Sequence, residues 1–564
     1  MYHTSGRSNI LLVLASTSAL VLLLVLALVP SVAVARKSPG NAPIRSLHVH
    51  DHLRDASSAC EGTLYPDLCV AVVSDISDFA SKSLEELIST ILNRAMYEVT
   101  LSSAKCANIE KRLKRNDTLE RDAFDDCIEL FNLTLAELTV ARACLTPGRS
   151  RVSGNRHKLG TFLSAAMTNQ YTCLDGLDGS KGNAIHTIEK SVHNISHHIS
   201  NSLAMLKRVP SVNGSKSEFF PETGGREKDF PAWLSGRDRK LLLAQNDQIK
   251  FDLIVAGDGS GNFTKINDAV AAAPNNKRKR FVIYIKSGTY FENVAVGADK
   301  KMLMFVGDGM GKTVVKANRN AVDSYTTFST ATVAVAGDGF IAKAMTFENT
   351  AGPSKHQAVA LRINADLSAF YKCSVLAYQD ALYVHSLRQF YRECDVHGTV
   401  DAIFGNAAAV FQNCNLYARK PNPSQQNVFT AQGRDDPNQD TGISILNCKL
   451  LADSDLAPVL SSFETYLGRP WKEYSRTVVL RSYIDDLVDP AGWAEWSGNI
   501  GLSTLYYGEY MNTGPGSSTS KRVNWPGYRV IKSSDEANQF TVGSFIQGKE
   551  WLDSTQIPYY LGFT

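Results

Sequence analysis

At 564 residues the chain is longer than one typical core organises, which points to two domains with flanking segments. Its 44% hydrophobic and 20% charged residues are ordinary for a globular protein. A net charge of +3 is too mild for a nucleic-acid binder, which concentrates a basic stripe, and it suits a polyanionic partner only weakly.

Arg7 precedes an apolar run from Ile10 to Val29, and Ala33-Val34-Ala35 offers a small-x-small cleavage site. Residues 1–35 therefore read as a signal peptide. The run is also long enough for an uncleaved signal anchor, and either form sends the chain into the secretory pathway. Ten cysteines agree with an oxidising compartment, as do five glycosylation sequons at Asn116, Asn132, Asn194, Asn213 and Asn262. No CxxC pair or His/Cys cluster has zinc spacing, so the cysteines read as staples and no metal site is expected.

Residues 56–208 read as helices. Leu84, Leu87, Ile88, Ile91, Leu92 and Ala95 follow helical spacing, and Ser83 with Glu86 forms a capping box ahead of them. Phe124, Ile128, Phe131, Leu135 and Leu138 mark a second stripe. Helices without intervening strands predict an all-α, four-helix up-and-down bundle. It holds Cys60, Cys69, Cys106, Cys127, Cys144 and Cys173, and its plain reading is a stapled domain without chemistry. Residues 209–248 are rich in Pro, Gly, Ser and charge, as an exposed linker is. Within them Arg237-Asp-Arg-Lys-Leu-Leu242 reads either as a solvated charge run or as a site where a protease cuts.

From 249 to 564 the texture is β. Phe281–Ile285, Met302–Val306 and Thr332–Val335 are short apolar runs separated by Gly, Asn and Asp turns. Beneath them aromatic residues followed by Asn or Cys recur: TFEN (Thr346–Asn349), FYKC (Phe370–Cys373), FYREC (Phe390–Cys394) and VFQNC (Val410–Cys414). Cys373 to Cys394 is 21 residues and Cys394 to Cys414 is 20. A strand-rich repeat of that period predicts a β-solenoid whose coils stack ~4.8 Å apart.

Stacking makes chemistry. Asp380 and Asp401 are 21 residues apart and Gln357 and Gln379 are 22 apart, so all four fall on three consecutive coils of one face. Two carboxyls held close cannot both ionise cheaply, so one becomes an acid while the other stays charged as a nucleophile. Neutral amides beside them suit a developing oxyanion. A lone YQD or VDA string reads as a turn; four residues in one register argue for function.

GPSKHQAVALR (Gly352–Arg362), YQDALY (Tyr378–Tyr383), GTVDAIFGN (Gly398–Asn406), TAQGRDDPNQDTGISI (Thr430–Ile445) and LGRPW (Leu467–Trp471) resemble the signature blocks of plant pectin methylesterases. The resemblance covers about residues 249–564, and the helical segment, with CLDGL around Cys173, resembles that family's inhibitor-like pro-region. It implies a right-handed parallel β-helix and a carboxylic-ester hydrolase acting without cofactor on methyl-esterified homogalacturonan in the cell wall. It implies Asp401 as nucleophile, Asp380 as proton donor, Gln357 and Gln379 as oxyanion stabilisers, and Arg469 as the partner of Asp401. Thr327, Phe328, Tyr383, Phe404, Trp471 and Trp496 would meet substrate, together with Gln357 and Arg469. It also implies disulfides Cys60–Cys69, Cys127–Cys173, Cys373–Cys394 and Cys414–Cys448, leaving Cys106 and Cys144 over. Ala381 and Ala402 depart from the family's usual Thr and Phe. The further expectation is that the bundle, an intramolecular partner, masks the groove until a subtilisin-like processing protease cuts near Arg239-Lys240.

Other readings fare worse. GDGMGKT (Gly307–Thr313) has Val306 where a phosphate loop needs glycine, and no helical pattern follows. No G-x-S-x-G elbow occurs. Asp435-Asp436 in DDPNQD reads as a turn rather than a glycosidase pair. Two rivals stand: a β-helix enzyme that cuts the pectin chain, and an impaired β-helix whose helical domain binds and inhibits esterases.

Overall fold

Ser83 opens the first long helix as its spacing predicts: its hydroxyl accepts from the Glu86 amide while the Glu86 carboxylate accepts from the Ser83 amide. The computed structural model describes residues 55–114, 117–145, 152–178, 184–209, 250–555 and 557–563. The leader, the linker with its basic cluster, and the sequons at Asn116 and Asn213 lie outside the described residues. Helix α1 (Pro66–Ser74) precedes four long helices, α2 (Leu84–Glu110), α3 (Thr118–Leu145), α4 (Val152–Leu177) and α5 (Ala184–Leu206). Each long helix packs on two others, α2 and α4 both lying against α3 and α5. Ile88, Ile91, Leu92, Phe124, Phe131 and Leu138 are buried between them. Cys60–Cys69 and Cys127–Cys173 are disulfides that staple this bundle.

The β region forms parallel sheets of eleven, seven and eight strands, paired at intervals of one coil. The repeat has a physical origin inside the coil. Phe370 stacks on Tyr391 with ring centres 4.9 Å apart, and Tyr391 stacks on Phe411 at 4.5 Å. These strands pair Phe370 with Tyr391 and Tyr391 with Phe411, so each aromatic motif is one rung of an internal ladder. After each rung a single residue turns the chain into the next sheet: Lys372, Glu393, Asn413 and Asn447 have φ of 52°, 51°, 56° and 54°.

The next residue is always cysteine. Cys373, Cys394, Cys414 and Cys448 stand as buried thiols, so the expected pairs Cys373–Cys394 and Cys414–Cys448 are corrected here. The four share one column along the solenoid: the Cys394 amide donates to Cys414 Sγ at 3.4 Å, and the Cys414 amide to Cys448 Sγ at 3.3 Å. Each inner thiol therefore has a thiol on either side. Cys106 and Cys144 are buried thiols in the bundle.

The seven-stranded sheet carries the face of interest. Its strands are β1 (Val294–Val296), β2 (Val333–Val335), β3 (Leu361–Ile363), β4 (Leu382–Val384), β5 (Ile403–Gly405), β6 (Thr430–Gln432) and β7 (Arg469–Pro470). Gly405 ends β5 with φ of 127°, and a Cβ there would lie 2.2 Å from the Val384 carbonyl oxygen on the neighbouring coil. That obstacle is backbone and cannot rotate away. Gly405→Ala is expected to destabilise the fold by about 3 kcal/mol, read by denaturant unfolding of the purified variant.

Candidate active site

Asp380 and Asp401 each precede a strand of this sheet by two residues, and both are left-handed, with φ of 61° and 51°. Short polar side chains tolerate that conformation. Leu382 pairs with Ile403, and the Asp380 amide donates to the Val400 carbonyl at 3.0 Å, so the two carboxyls sit on adjacent coils of one wall. Asp380 is 7% exposed and Asp401 5%.

Arg469 reaches both oxygens of Asp401, Nε to Oδ1 at 2.8 Å and Nη2 to Oδ2 at 2.7 Å. Such a fork fixes a carboxylate in plane and in charge. Burial first, and then the charge of Asp401, push the Asp380 carboxyl well above the usual carboxylate range. Burial raises Asp401 as well, but the bonds and charge of Arg469 oppose it. Of the pair, Asp401 is the member that keeps its charge and Asp380 the one that holds a proton.

Gln379 lies half-buried beside Asp380, and its Oε1 has no hydrogen-bond partner among the described residues. Its carbonyl accepts from the Ala358 amide at 3.2 Å, which places half-buried Gln357 at the same end of the preceding coil. A cavity of about 620 Å³ opens here, lined by Gln379 and Arg469 together with His356, Gln425, Phe463 and Glu464. That size suits a small ligand or one unit of a larger one. Among the described residues no group of three His, Cys, Asp or Glu side chains is placed to hold a metal ion.

Aromatic residues continue the same wall, Tyr383 and Phe404 standing in the strands that follow Asp380 and Asp401. Tyr383 stacks on Phe404 at 4.1 Å, Phe404 meets Trp471 edge-on at 6.0 Å, and Phe328 meets Tyr383 edge-on at 6.5 Å. Trp496 is 36% exposed, with the Arg469 guanidinium 4.2 Å from its ring. Half-buried Thr327 heads the short turn Phe328–Thr330. Ala381 and Ala402 are buried in the wall, and Gly398 leaves Ala402 its room: a Cβ on Gly398 would stand 2.7 Å from that of Ala402.

Two family models match the chain, one over each region. Pectinesterase matches residues 252–549, and plant invertase/pectin methylesterase inhibitor matches residues 55–205. The chain belongs to the pectinesterase family. The probable pectinesterase/pectinesterase inhibitor 39 of Arabidopsis thaliana is 50% identical, over 86% of this chain and 91% of its own. The pectinesterase/pectinesterase inhibitor 3 of the same plant is 45% identical, over 97% and 96%. A solved pectin methylesterase from carrot aligns with 56% of this chain and 99% of its own, with 57% identity and a TM-score of 0.56. That solved chain is thus the counterpart of little more than the pectinesterase β-helix. Consistent with an independent core, the largest apolar cluster of the coil runs from Val255 to Tyr507 and takes no residue from the bundle.

In this pectinesterase the bundle lies on the aromatic wall. Phe328, Tyr383, Leu387, Phe404 and Ala431 share one apolar cluster with the core of the bundle. Thr172 of α4 pairs with His385 Nε2 at 2.9 Å, and Thr168 accepts from Asn406 Nδ2 at 2.9 Å. Burial, with Arg362 nearby, lowers His385 to about 3, so that imidazole is neutral. On α3, Asp122 accepts from the Thr326 amide at 3.0 Å and from the Ser329 hydroxyl, Asp126 accepts from the Thr326 hydroxyl, and Glu129 meets Arg362 at 3.3 Å. Asp175 pairs with Lys472 at 3.0 Å, and Ser200 of α5 donates to Asp436 at 2.5 Å. The DDPNQD segment is a turn, as expected: the Asn438 amide donates to Asp436 Oδ1 at 2.6 Å. It is also a docking point. Sequence reasoning missed the residues Arg362, His385, Asn406 and Asp436. A buried polar stripe on α4, Ser164, Thr168 and Thr172 at four-residue spacing, is the signal that could have revealed the contact.

Proposed function

We propose that this pectinesterase removes methyl groups from homogalacturonan in the cell wall through an aspartyl acyl-enzyme, and that its bundle masks the groove in the undivided chain. The observation that carries the reading is the pair of buried carboxyls on adjacent coils, one gripped by Arg469 and the other holding a proton. The Asp401 carboxylate attacks the ester carbonyl carbon, and Gln357 and Gln379 steady the oxyanion. The C–OMe bond breaks as Asp380 gives its proton to the departing oxygen, and methanol leaves. Asp380, now charged, takes a proton from water as the hydroxide attacks the acyl-enzyme; the bond to Asp401 breaks, leaving the Asp401 carboxylate and a galacturonic acid unit of the polymer whose proton passes to solvent. The rings of Phe328, Tyr383, Phe404, Trp471 and Trp496 and the Thr327 hydroxyl receive the sugar units.

On this reading the chain is ordered as a leader over residues 1–35, the bundle over 56–208, a linker over 209–248 and the hydrolase over 249–564. A secretory route brings it to its polymer, and cleavage near Arg239-Lys240 by a subtilisin-like protease frees the wall now shared with the bundle. The test is methanol release from methylated pectin by the 250–564 fragment. Methanol is expected with the polymer length unchanged; a fragment as inactive as its Asp401→Ala control, or one that shortens the polymer, removes the esterase reading.

A further inference from the structure

Arg419 directly follows the strand Asn415–Ala418, and its amide donates to the Gly398 carbonyl at 2.8 Å. Its guanidinium reaches past that coil to the one before. Nη1 donates to the Ala377 carbonyl at 2.9 Å, Nη2 donates to the Tyr378 hydroxyl at 2.8 Å, and the group lies 3.8 Å from the Tyr378 ring centre. Ala377, Gly398 and Arg419 lie on three successive coils, Arg419 one place beyond the Ala418 that pairs with Gly398, so one side chain ties all three. The first two of these coils carry Asp380 and Asp401.

The grip falls next to the chemistry, since Tyr378 is followed at once by Gln379 and Asp380. The backbone ties of this turn run to adjacent coils: Thr399 donates to the Tyr378 carbonyl at 2.9 Å, Asp380 to Val400 at 3.0 Å, and Ala358 to Gln379 at 3.2 Å. Arg419 adds a hold from two coils away. Two carboxylates lie within ion-pair range of it, Asp455 at 3.6 Å and Asp453 at 4.0 Å from Nε, which itself makes no hydrogen bond among the described residues. Asp453 is fixed in turn by His397 at 2.7 Å, and His397 stacks on Tyr417 at 4.5 Å. A planar donor fork backed by two carboxylates is a rigid brace rather than a loose surface charge.

We propose that Arg419 is a positioning residue of this site, bracing the Tyr378–Asp380 turn against the coil of Asp401 and so setting the separation of the two carboxyls. This rests on the esterase reading above. The reacting groups tolerate little error, because a shift of about 1 Å can cost ~100-fold in rate. Lysine at 419 would keep the charge facing Asp453 and Asp455 but lose the fork that holds Ala377 and Tyr378 together.

The test compares Arg419→Lys and Tyr378→Phe with wild type in the 250–564 fragment, following kcat, KM, the pH profile of kcat and amide hydrogen exchange. Arg419→Lys is expected to lower kcat by about 10- to 100-fold with KM within about threefold. Its exchange should quicken in 377–382 while other coils keep wild-type protection. Tyr378→Phe should move both readouts in the same direction by less. A folded Arg419→Lys with kcat, pH profile and local exchange within about twofold of wild type overturns the proposal, as does faster exchange spread over all coils. Exchange does not depend on turnover, so a wild-type fragment that released no methanol would sink the esterase reading while the exchange result still judged Arg419.

Discussion

Asp401→Asn in the 250–564 fragment is expected to cut methanol release by about 10⁴-fold or more, the scale seen when a covalent nucleophile is removed. Asn is nearly the same shape, so the Arg469 fork keeps one of its two acceptors and the fold is spared. Asp380→Asn should cost about 10²- to 10⁴-fold, the usual worth of a positioned proton donor. The two differ in pH behaviour. Acylation needs Asp401 charged and Asp380 protonated, so activity falls as pH rises through the elevated titration of Asp380. That alkaline limb should vanish in Asp380→Asn, whereas the acid limb, where Asp401 gains a proton, should persist. Because the carboxyls interact, each limb reports a property of the pair. Steady-state methanol assays across pH check all of this, and an Asp401→Asn fragment that kept a tenth of wild-type activity would remove Asp401 from the nucleophile's place.

What the sequence made legible follows the regularity of the coil. Phe370, Tyr391 and Phe411 stack at spacings of 21 and 20, so the same arithmetic put Asp380 beside Asp401. The arithmetic fails where coils lengthen. Ile403 pairs with Thr430 and Ala431 with Arg469, because loops are inserted between these strands. Arg469 therefore could not be placed by counting, and its role came from resemblance alone. The thiol column shows the opposite limit. Spacings of 21 and 20 put Cys373, Cys394 and Cys414 in one column, which Cys448 joins only across a lengthened coil of 34 residues, without saying which pair should close, and the structure closes none. Docking of the bundle was illegible for a different reason. Asp122, Asp126 and Glu129 fall at i, i+4 and i+7 on one acidic side of α3, and nothing in their spacing says that Thr326, Ser329 and Arg362 lie against them. The polar stripe Ser164, Thr168 and Thr172 on α4 marks a face that something covers, but spacing does not say what covers it.

That acidic side predicts that masking weakens as pH rises. Asp126 is buried on docking and pushed up to about 8, chiefly by that burial. The Thr326 hydroxyl and Arg362 across the contact pull it down, while Asp122 and Glu129 on its own helix push with the burial. Asp435 is pushed up to about 6, again mainly by burial, with Tyr171, Asp175, Asp436 and Lys472 around it. A freed carboxyl returns towards ~4, so the docked form binds more protons than the undocked one. Docking is thus fully supported below about pH 4 and loses support as pH rises through about 6 and then 8, by up to about tenfold per pH unit for each carboxyl that titrates. The measurement is the methanol-release rate of the undivided chain divided by that of the 250–564 fragment, which cancels the titration of the catalytic pair. This ratio should climb by at least about tenfold between pH 5 and pH 8. Asp126→Asn keeps a neutral hydrogen-bonding group facing Thr326 and removes the titration, so its ratio should stay low and climb less steeply. A wild-type ratio flat across that range, or one falling with pH, would show that these buried carboxyls do not govern how tightly the bundle holds the groove.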